Sequence, residues 1–369
     1  MRKVLSLLLI LTTLLLTGCW DQNIYEHIGF ILLMGVEASE SSNKFRVTYA
    51  LPTVSEEKEK LEVISVTSNI SREARESSAR ISPRDPIAGK IQQYLFSEEI
   101  SKKGIHNLLE IFERDFNNPI LAWVIVTEGS PMELTKKSLT FEDKPIVPLY
   151  LNNLLESNMQ SSNIPETRIF NFDIDYFSPG IDPMTPTIKL MPKEILVTGS
   201  ALFHGDKMVG KINTSETSLI LAMKNKVNQI QYIIPPPETY KKASQIKTNM
   251  AVSLKLNKRK LDVKIKNNKP IIDILLNFDG SINEYTWDNL SNIIEQKKIE
   301  KYIEDHIKND CMETIKYIQD VGSDPIGIGD IVRAKHNNYW NSISWSDAYK
   351  KALINVDVNL DIKTYGTID

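Results

Sequence analysis

Cysteine is almost absent from this chain: Cys19 and Cys311 are the only two in 369 residues. Cys19 belongs to a motif described below, which leaves Cys311 alone. An intrachain disulfide, and any zinc site built on two thiolates, are therefore excluded. Histidine is sparse too. His27, His106, His204, His306 and His336 never lie three or four residues apart, so no helical metal pair exists, and each is read as solvated or structurally hydrogen-bonded. Nor is positive charge in excess: 44 Lys and Arg against 47 Asp and Glu leave a net charge of −3 and a pI near 6.1. That balance argues against a nucleic-acid partner, which needs a basic face. The short basic run Lys258-Arg259-Lys260 sits between two strand-like runs and is read as a hairpin turn. Past the first 16 residues no stretch approaches the roughly 18 uninterrupted apolar residues of a membrane-spanning helix.

Catalytic signatures are missing as well. No Gly-x-Ser-x-Gly and no phosphate-binding Gly-Lys-Ser/Thr loop occurs. Gly327-Ile328-Gly329 has part of a dinucleotide loop, but Val332 stands where its third glycine belongs, and a turn is the better reading. Asp173, Asp175 and Asp182 lack the spacing and closing Glu of a calcium loop and are read as solvated strand residues. Glu56-Glu57-Lys58-Glu59-Lys60 is a mixed-charge solvated run. No residue qualifies as catalytic, cofactor-binding or metal-binding, so a protein that is not an enzyme is expected.

What the chain does have stands at its start. Arg2 and Lys3 precede an apolar core over residues 4–16, and Leu16-Thr17-Gly18-Cys19 follows. A basic start, an apolar run and a small residue before a thiol make a lipoprotein signal. The expected outcome is diacylglyceryl transfer to the Cys19 sulfur and cleavage after Gly18. The 13 residues of the core would span roughly 20 Å as a helix, short of the roughly 30 Å hydrocarbon layer. Such a segment serves better as a cleavable signal than as a span. The competing readings are an uncleaved signal anchor and an exported chain with an incidental Cys19.

The pattern downstream suggests α+β architecture, with mostly antiparallel sheets flanked by helices in three domains. Residues 1–18 are the signal peptide, 19–135 an N-terminal α+β domain, 136–194 a middle module or connecting segment, and 195–369 a C-terminal α+β domain with a long helix. Strands are expected over residues 28–36, 45–51, 61–67, 91–96 and 120–127, with helices over 70–80 and 97–115, the latter broken at Gly104 and capped by Ser97. Pro131 opens a short helix, and residues 147–159 read as helical. In the proline-rich stretch that follows, residues 170–177 and 187–190 read as short strands. Later come a hairpin across His204-Gly205-Asp206, a helix over 214–224 capped by Thr214, and strands over 229–234, 246–256, 260–266 and 270–280. A helix over 288–319 carries Ile299, Ile303, Ile307, Cys311, Ile315 and Ile318 on one stripe, which makes Cys311 a small buried apolar residue. Residues 352–362 alternate as a closing strand. Neither a regular β-α-β-α rhythm nor an internal repeat is present.

Several segments together carry a resemblance. Cys19-Trp20-Asp21, Phe96-Ser97-Glu98-Glu99-Ile100-Ser101-Lys102-Lys103-Gly104-Ile105 and Glu113-Arg114-Asp115 occur in that order. Gly199-Ser200-Ala201-Leu202-Phe203 with Asp206-Lys207-Met208-Val209-Gly210, then Glu216-Thr217, then Asp324-Pro325-Ile326-Gly327-Ile328-Gly329 with Trp340 complete the set. This series resembles the spore germination receptor C-subunit lipoproteins, the Ger(x)C family. The resemblance implies a non-enzymatic protein of three α+β domains, held by lipid at Cys19 on the outer face of the spore inner membrane. It implies two integral membrane subunits as partners in a receptor for small nutrient germinants, with no cofactor. The alternative from another class is a substrate-binding lipoprotein of a transporter; a lipid-anchored hydrolase is a third reading, without a motif to support it.

Overall fold

The computed structural model describes residues 27–39, 44–53, 60–69, 71–113, 119–235, 249–285 and 292–365. The leader and Cys19 lie outside the described residues, as does the run Glu56-Glu57-Lys58-Glu59.

The first part of the chain runs β1 (Ile28–Phe30), β2 (Leu33–Ala38), β3 (Phe45–Thr53), β4 (Lys60–Ser68), α1 (Ser71–Ala79), β5 (Asp85–Ile87), β6 (Gln93–Ser97), α2 (Glu98–Lys103), α3 (His106–Glu113) and β7 (Trp123–Glu128). Then come α4 (Pro131–Ser138), α5 (Val147–Gln160), α6 (Ile169–Phe177), β8 (Met184–Leu190), β9 (Ile195–His204) and β10 (Lys207–Ile212). These strands form an eight-stranded sheet in the order β10-β9-β8-β7-β6-β2-β3-β4, with β1 and β5 paired beside it. Its outer pairs are antiparallel, whereas β2, β6, β7 and β8 are mutually parallel. Helices between β6 and β7 and between β7 and β8 make those crossovers possible. Successive residues of β6 and β7 therefore face opposite cores: Tyr94, Phe96, Val124 and Val126 pack with α3 and α6 on one side, and Leu95, Trp123 and Ile125 with α4 and α5 on the other.

Local chemistry explains several helix ends. The Ile100 N–H donates to Ser97 Oγ at 3.4 Å to start α2, and Gly104, with φ 114, ends it. Ser130 caps α4, with Pro131 in its first turn. At the next helix, α7 (Thr214–Lys224), the cap is Asn213 rather than Thr214. The Glu216 N–H donates to Asn213 Oδ1 while the Asn213 N–H donates to the Glu216 carboxylate, a reciprocal capping box.

The remaining strands, β11 (Gln229–Ile234), β12 (Met250–Lys266), β13 (Lys269–Glu284) and β14 (Leu353–Tyr365), form a second sheet in that order. Here Lys258-Arg259-Lys260 is not a turn. It lies inside β12, at a bulge next to Leu256, and the reversal falls at Asn267-Asn268 instead. Both asparagines have positive φ (48° and 58°), which suits a two-residue hairpin whose twist matches its strands. Between β13 and β14 run α8 (Ile293–Val321), α9 (Ile328–Lys335), α10 (Asn337–Trp340) and α11 (Trp345–Tyr349). The expected stripe of α8 is buried throughout, Cys311 included. Asn292 caps its start, and Gly322, in the left-handed region, ends it. The closing strand β14 pairs parallel to β13, which the α8 crossover allows. The architecture is α+β, with antiparallel pairs in the majority and helices flanking both sheets.

One strand expectation fails outright. Residues 170–177 form α6, a helix. Phe170, Phe172, Ile174 and Tyr176 alternate like a strand, but Asn171 Oδ1 accepts from the Arg168 N–H and fixes a helical first turn. Tertiary packing then buries Ile169 and Phe172 at helical spacing.

Candidate functional site

Polar groups converge where the segment Asp324–Gly329 meets the loop after α6. Asp324 is 2% exposed. Its Oδ1 accepts from the Gly327 and Ile328 N–H groups at 3.0 and 3.1 Å. Its Oδ2 accepts from the Gly329 N–H at 2.8 Å and from Trp345 Nε1 at 3.2 Å. Four donors thus converge on one carboxylate, and they hold the start of α9. Burial pushes the Asp324 carboxyl up to about 7 against the pull of the Gly329 and Ile328 N–H groups; the Asp182 charge adds to the rise.

Asp182 faces it from the other half of the chain. Its Oδ2 accepts from the Asp324 N–H at 2.8 Å, its Oδ1 accepts from the Gly205 N–H at 2.9 Å, and His204 Nδ1 lies 3.4 Å away. That hydrogen bond raises the His204 pKa above 6.5, against partial burial. Ser323 Oγ donates to the Phe203 carbonyl at 2.6 Å, and the Asp330 N–H donates to the Gly180 carbonyl at 3.0 Å. The backbones meet at glycines: a Cβ on Gly180 would sit 2.3 Å from the Asp330 nitrogen, and one on Gly329 would sit 2.4 Å from Trp345 Nε1. Gly327, with positive φ, precedes α9, and Ile328 and Gly329 already open that helix, so the expected turn ends at Gly327; the N–H groups of all three are spent on Asp324.

The aspartates read as solvated strand residues are not. Asp173 and Asp175 lie on α6, 17% and 22% exposed at their side chains, near His106 Nδ1 (3.8 Å) and Lys224 Nζ (3.0 Å) respectively. Burial raises the Asp175 pKa, and Lys224 opposes the rise. Asp182, read as solvated with the other two, has a side chain only 15% exposed that accepts from the Asp324 and Gly205 N–H groups; that role is what sequence reasoning missed. The available signal was Pro179-Gly180-Ile181-Asp182-Pro183, a turn-forming run with an acid just before its second proline.

Other sites are modest. A cleft of about 630 Å³ lies between α6 and α7, lined by Met159, Ile174, Asp175, Met184, Leu221 and Lys224 among others. His106 stacks on Tyr176 with centroids 4.0 Å apart, His306 lies between Tyr302 and Tyr232, and His336 Nε2 is 3.1 Å from the Val263 carbonyl. Among the described residues no three His, Cys, Asp or Glu side chains could hold one metal ion. This geometry locks two regions of the chain together.

The regions locked this way correspond to two matched families. Residues 21–190 match the family described as "Spore germination protein N-terminal domain" and residues 198–366 the one described as "Spore germination B3/ GerAC like, C-terminal". This chain belongs to the Ger(x)C family of spore germination proteins. It is 25% identical to the spore germination protein GerQC of Bacillus cereus, across 98% of this chain and 99% of that one. It is 21% identical to spore germination protein B3 of Bacillus subtilis (strain 168), across 96% of each. Among solved structures it is similar to the crystal structure of GerBC, with a TM-score of 0.58 and 16% identity over 89% of this chain and 97% of that one. Within the Ger(x)C fold, Asp182 comes from the N-terminal family region and Asp324 from the C-terminal one. Their contact is part of the seam between the regions, which the β8–β9 pairing also crosses.

Proposed function

We propose that this germination protein is the lipid-anchored subunit of a nutrient germinant receptor, held at Cys19 on the outer face of the spore inner membrane. It acts there by binding two integral membrane subunits, without chemistry of its own, so that germinant occupancy passes through contacts between folded domains. The observation that carries this reading is the lipoprotein signal ending in Leu16-Thr17-Gly18-Cys19, placed directly ahead of a body that matches germination proteins almost end to end. Two acyl chains, at about 0.8 kcal/mol per buried methylene, hold a protein to a bilayer far more firmly than one. Tethering also raises the concentration of the body near membrane-embedded partners without any new contact. No helix among the described residues is long and apolar enough to cross a membrane, so the lipid would supply the attachment.

Cys19→Ala tests the proposal. The expected outcome is lost germination, or sharply lower receptor level in spores; normal germination at normal protein level would overturn it. Purifying the lipidated protein from spore membranes is expected to bring two multi-span proteins with it.

A further inference from the structure

The helix α6 is apolar on two faces. Ile169 and Phe172 turn into the core, with Tyr176 packed against the same cluster. Phe170, Ile174 and Phe177, spaced four and three residues apart, turn outward and are 37%, 62% and 68% exposed. A surface helix usually carries one apolar stripe and a polar opposite face, so a second stripe needs an occupant. The loop before β7 extends it. The Phe170 N–H donates to the Ile120 carbonyl at 3.3 Å, and Ile120 and Leu121 are 53% and 63% exposed. Asp173 sits on the same stripe, one turn from both Phe170 and Phe177, with His106 Nδ1 at 3.8 Å, and Asp175, beside Ile174, pairs with Lys224 at 3.0 Å. Each carboxylate of the helix thus has a basic side chain beside it, which limits the cost of covering the outward face.

The path of the chain says what covers this face. Strands β2, β6 and β7 are parallel and in register at Leu33, Gln93 and Trp123, so their starts share one edge of the sheet. Across two strand spacings, Trp123 lies roughly 10 Å from Leu33. Leu121 is two residues before Trp123, and His27 is six residues before Leu33, which is at most about 21 Å of chain. From His27 back to Cys19 is eight residues, at most about 28 Å. A lipid on Cys19 thus leashes this edge close to the bilayer.

We propose that the outward face of α6, with Ile120 and Leu121, lies in the surface layer of the bilayer that holds the Cys19 lipid, and so fixes the orientation of the body on the membrane. The inference rests on the anchoring reading but is testable apart from it. The chain starting at Cys19 is coupled through its sulfur to a maleimide lipid in phosphatidylcholine vesicles; Cys311 is fully buried, so coupling selects Cys19. Phe170→Trp and Phe177→Trp are each compared with the parent chain using lipids brominated near the headgroup. Ile233→Trp, on the outer strand β11, is the control. Contact at the headgroup–acyl boundary is expected to cost the tryptophans at 170 and 177 about half or more of their added emission, with no loss at 233. Absence of quenching at both positions, or equal quenching at all three, overturns the proposal. Shielding at 170 and 177 that appears only when the membrane subunits are present assigns the face to a protein and overturns it too. Because the coupling replaces biological acylation, these outcomes judge docking alone; mass spectrometry of Cys19 from spores judges the anchor.

Discussion

Asp182 and Asp324 hold each other's loops in both directions. The Asp182 N–H donates to the Asp324 carbonyl at 3.0 Å, and the Asp324 N–H donates to Asp182 Oδ2 at 2.8 Å. The residues are 142 apart in sequence, one in each of the two family regions. Two carboxylates meet here without a buried cation between them. Backbone N–H groups do the neutralising.

Removing one side of this latch should be costly. Asp182→Ala leaves the Asp324 N–H, in a buried residue, without its acceptor, at a cost of about 1–3 kcal/mol, while the Gly205 N–H, in a half-exposed turn, can turn to water. The expected loss is about 1–3 kcal/mol, read as a lower denaturation midpoint. An unchanged midpoint would remove the latch's structural importance.

The same contact makes a pH prediction. His204 is raised above 6.5 chiefly by its hydrogen bond to Asp182. A histidine whose folded pKa exceeds its unfolded value adds stability that is fully present below about pH 6.5 and is lost as pH rises through the higher value. Half its surface is in solvent, so the effect on stability is small. NMR titration should place the His204 midpoint above 6.5, and Asp182→Asn should bring it down. A midpoint that ignores Asp182→Asn would show that the pair is not ionic.

Gly180→Ala should destabilise by steric overlap alone. The new Cβ would sit 2.3 to 2.4 Å from backbone atoms of Asp330 and Gly329, which no side-chain rotation can relieve. Overpacking of this kind costs about 1–3 kcal/mol. Chemical denaturation of the variant measures it, and wild-type stability would mean that the loop yields freely.

The contrast between α8 and α6 shows what the sequence could disclose. The stripe from Ile299 to Ile318 belongs to a long helix with one buried face, so its period is unambiguous. α6 has only nine residues and apolar side chains on two faces, and its alternation imitates a strand. Lys258-Arg259-Lys260 misled for a related reason: charge suggested a turn, while positive φ at Asn267 and Asn268 decided where the chain reverses. The seam was half legible. Asp324-Pro325-Ile326-Gly327-Ile328-Gly329 reads as a turn, but its partner Asp182 is brought to it only by the tertiary fold. The parallel pairing of β14 with β13 likewise depends on where α8 sends the chain.

The lone cysteine of the folded body should behave as packing. Cys311 is fully buried in the α8 stripe, and burial pushes its thiol well above the usual range. With Cys19 capped, a thiol reagent is expected to leave native protein unmodified and to label Cys311 fully in denaturant. Rapid labelling under native conditions would contradict the burial.

The outermost strand of the second sheet makes the last prediction. Among the described residues β14 has no strand beyond it, and an open edge of this kind invites pairing with another chain. Part of that edge is closed from within. The Leu360 N–H donates to Glu304 Oε1 at 2.8 Å, so a carboxylate on α8 occupies a donor that an incoming strand would need. The nearby ion pair from Glu304 to Lys301, at 3.3 Å, is exposed on the lysine side and adds little. Glu304→Ala should therefore cost only about 1 kcal/mol in stability yet promote self-association, because the freed N–H seeks an acceptor. Glu304→Gln keeps a carbonyl acceptor in place and should behave as the wild type. Sedimentation across a range of concentrations separates the outcomes: a steeper rise in average mass for the alanine variant alone supports edge protection, whereas identical behaviour of both variants would mean that Glu304 serves the helix and not the strand.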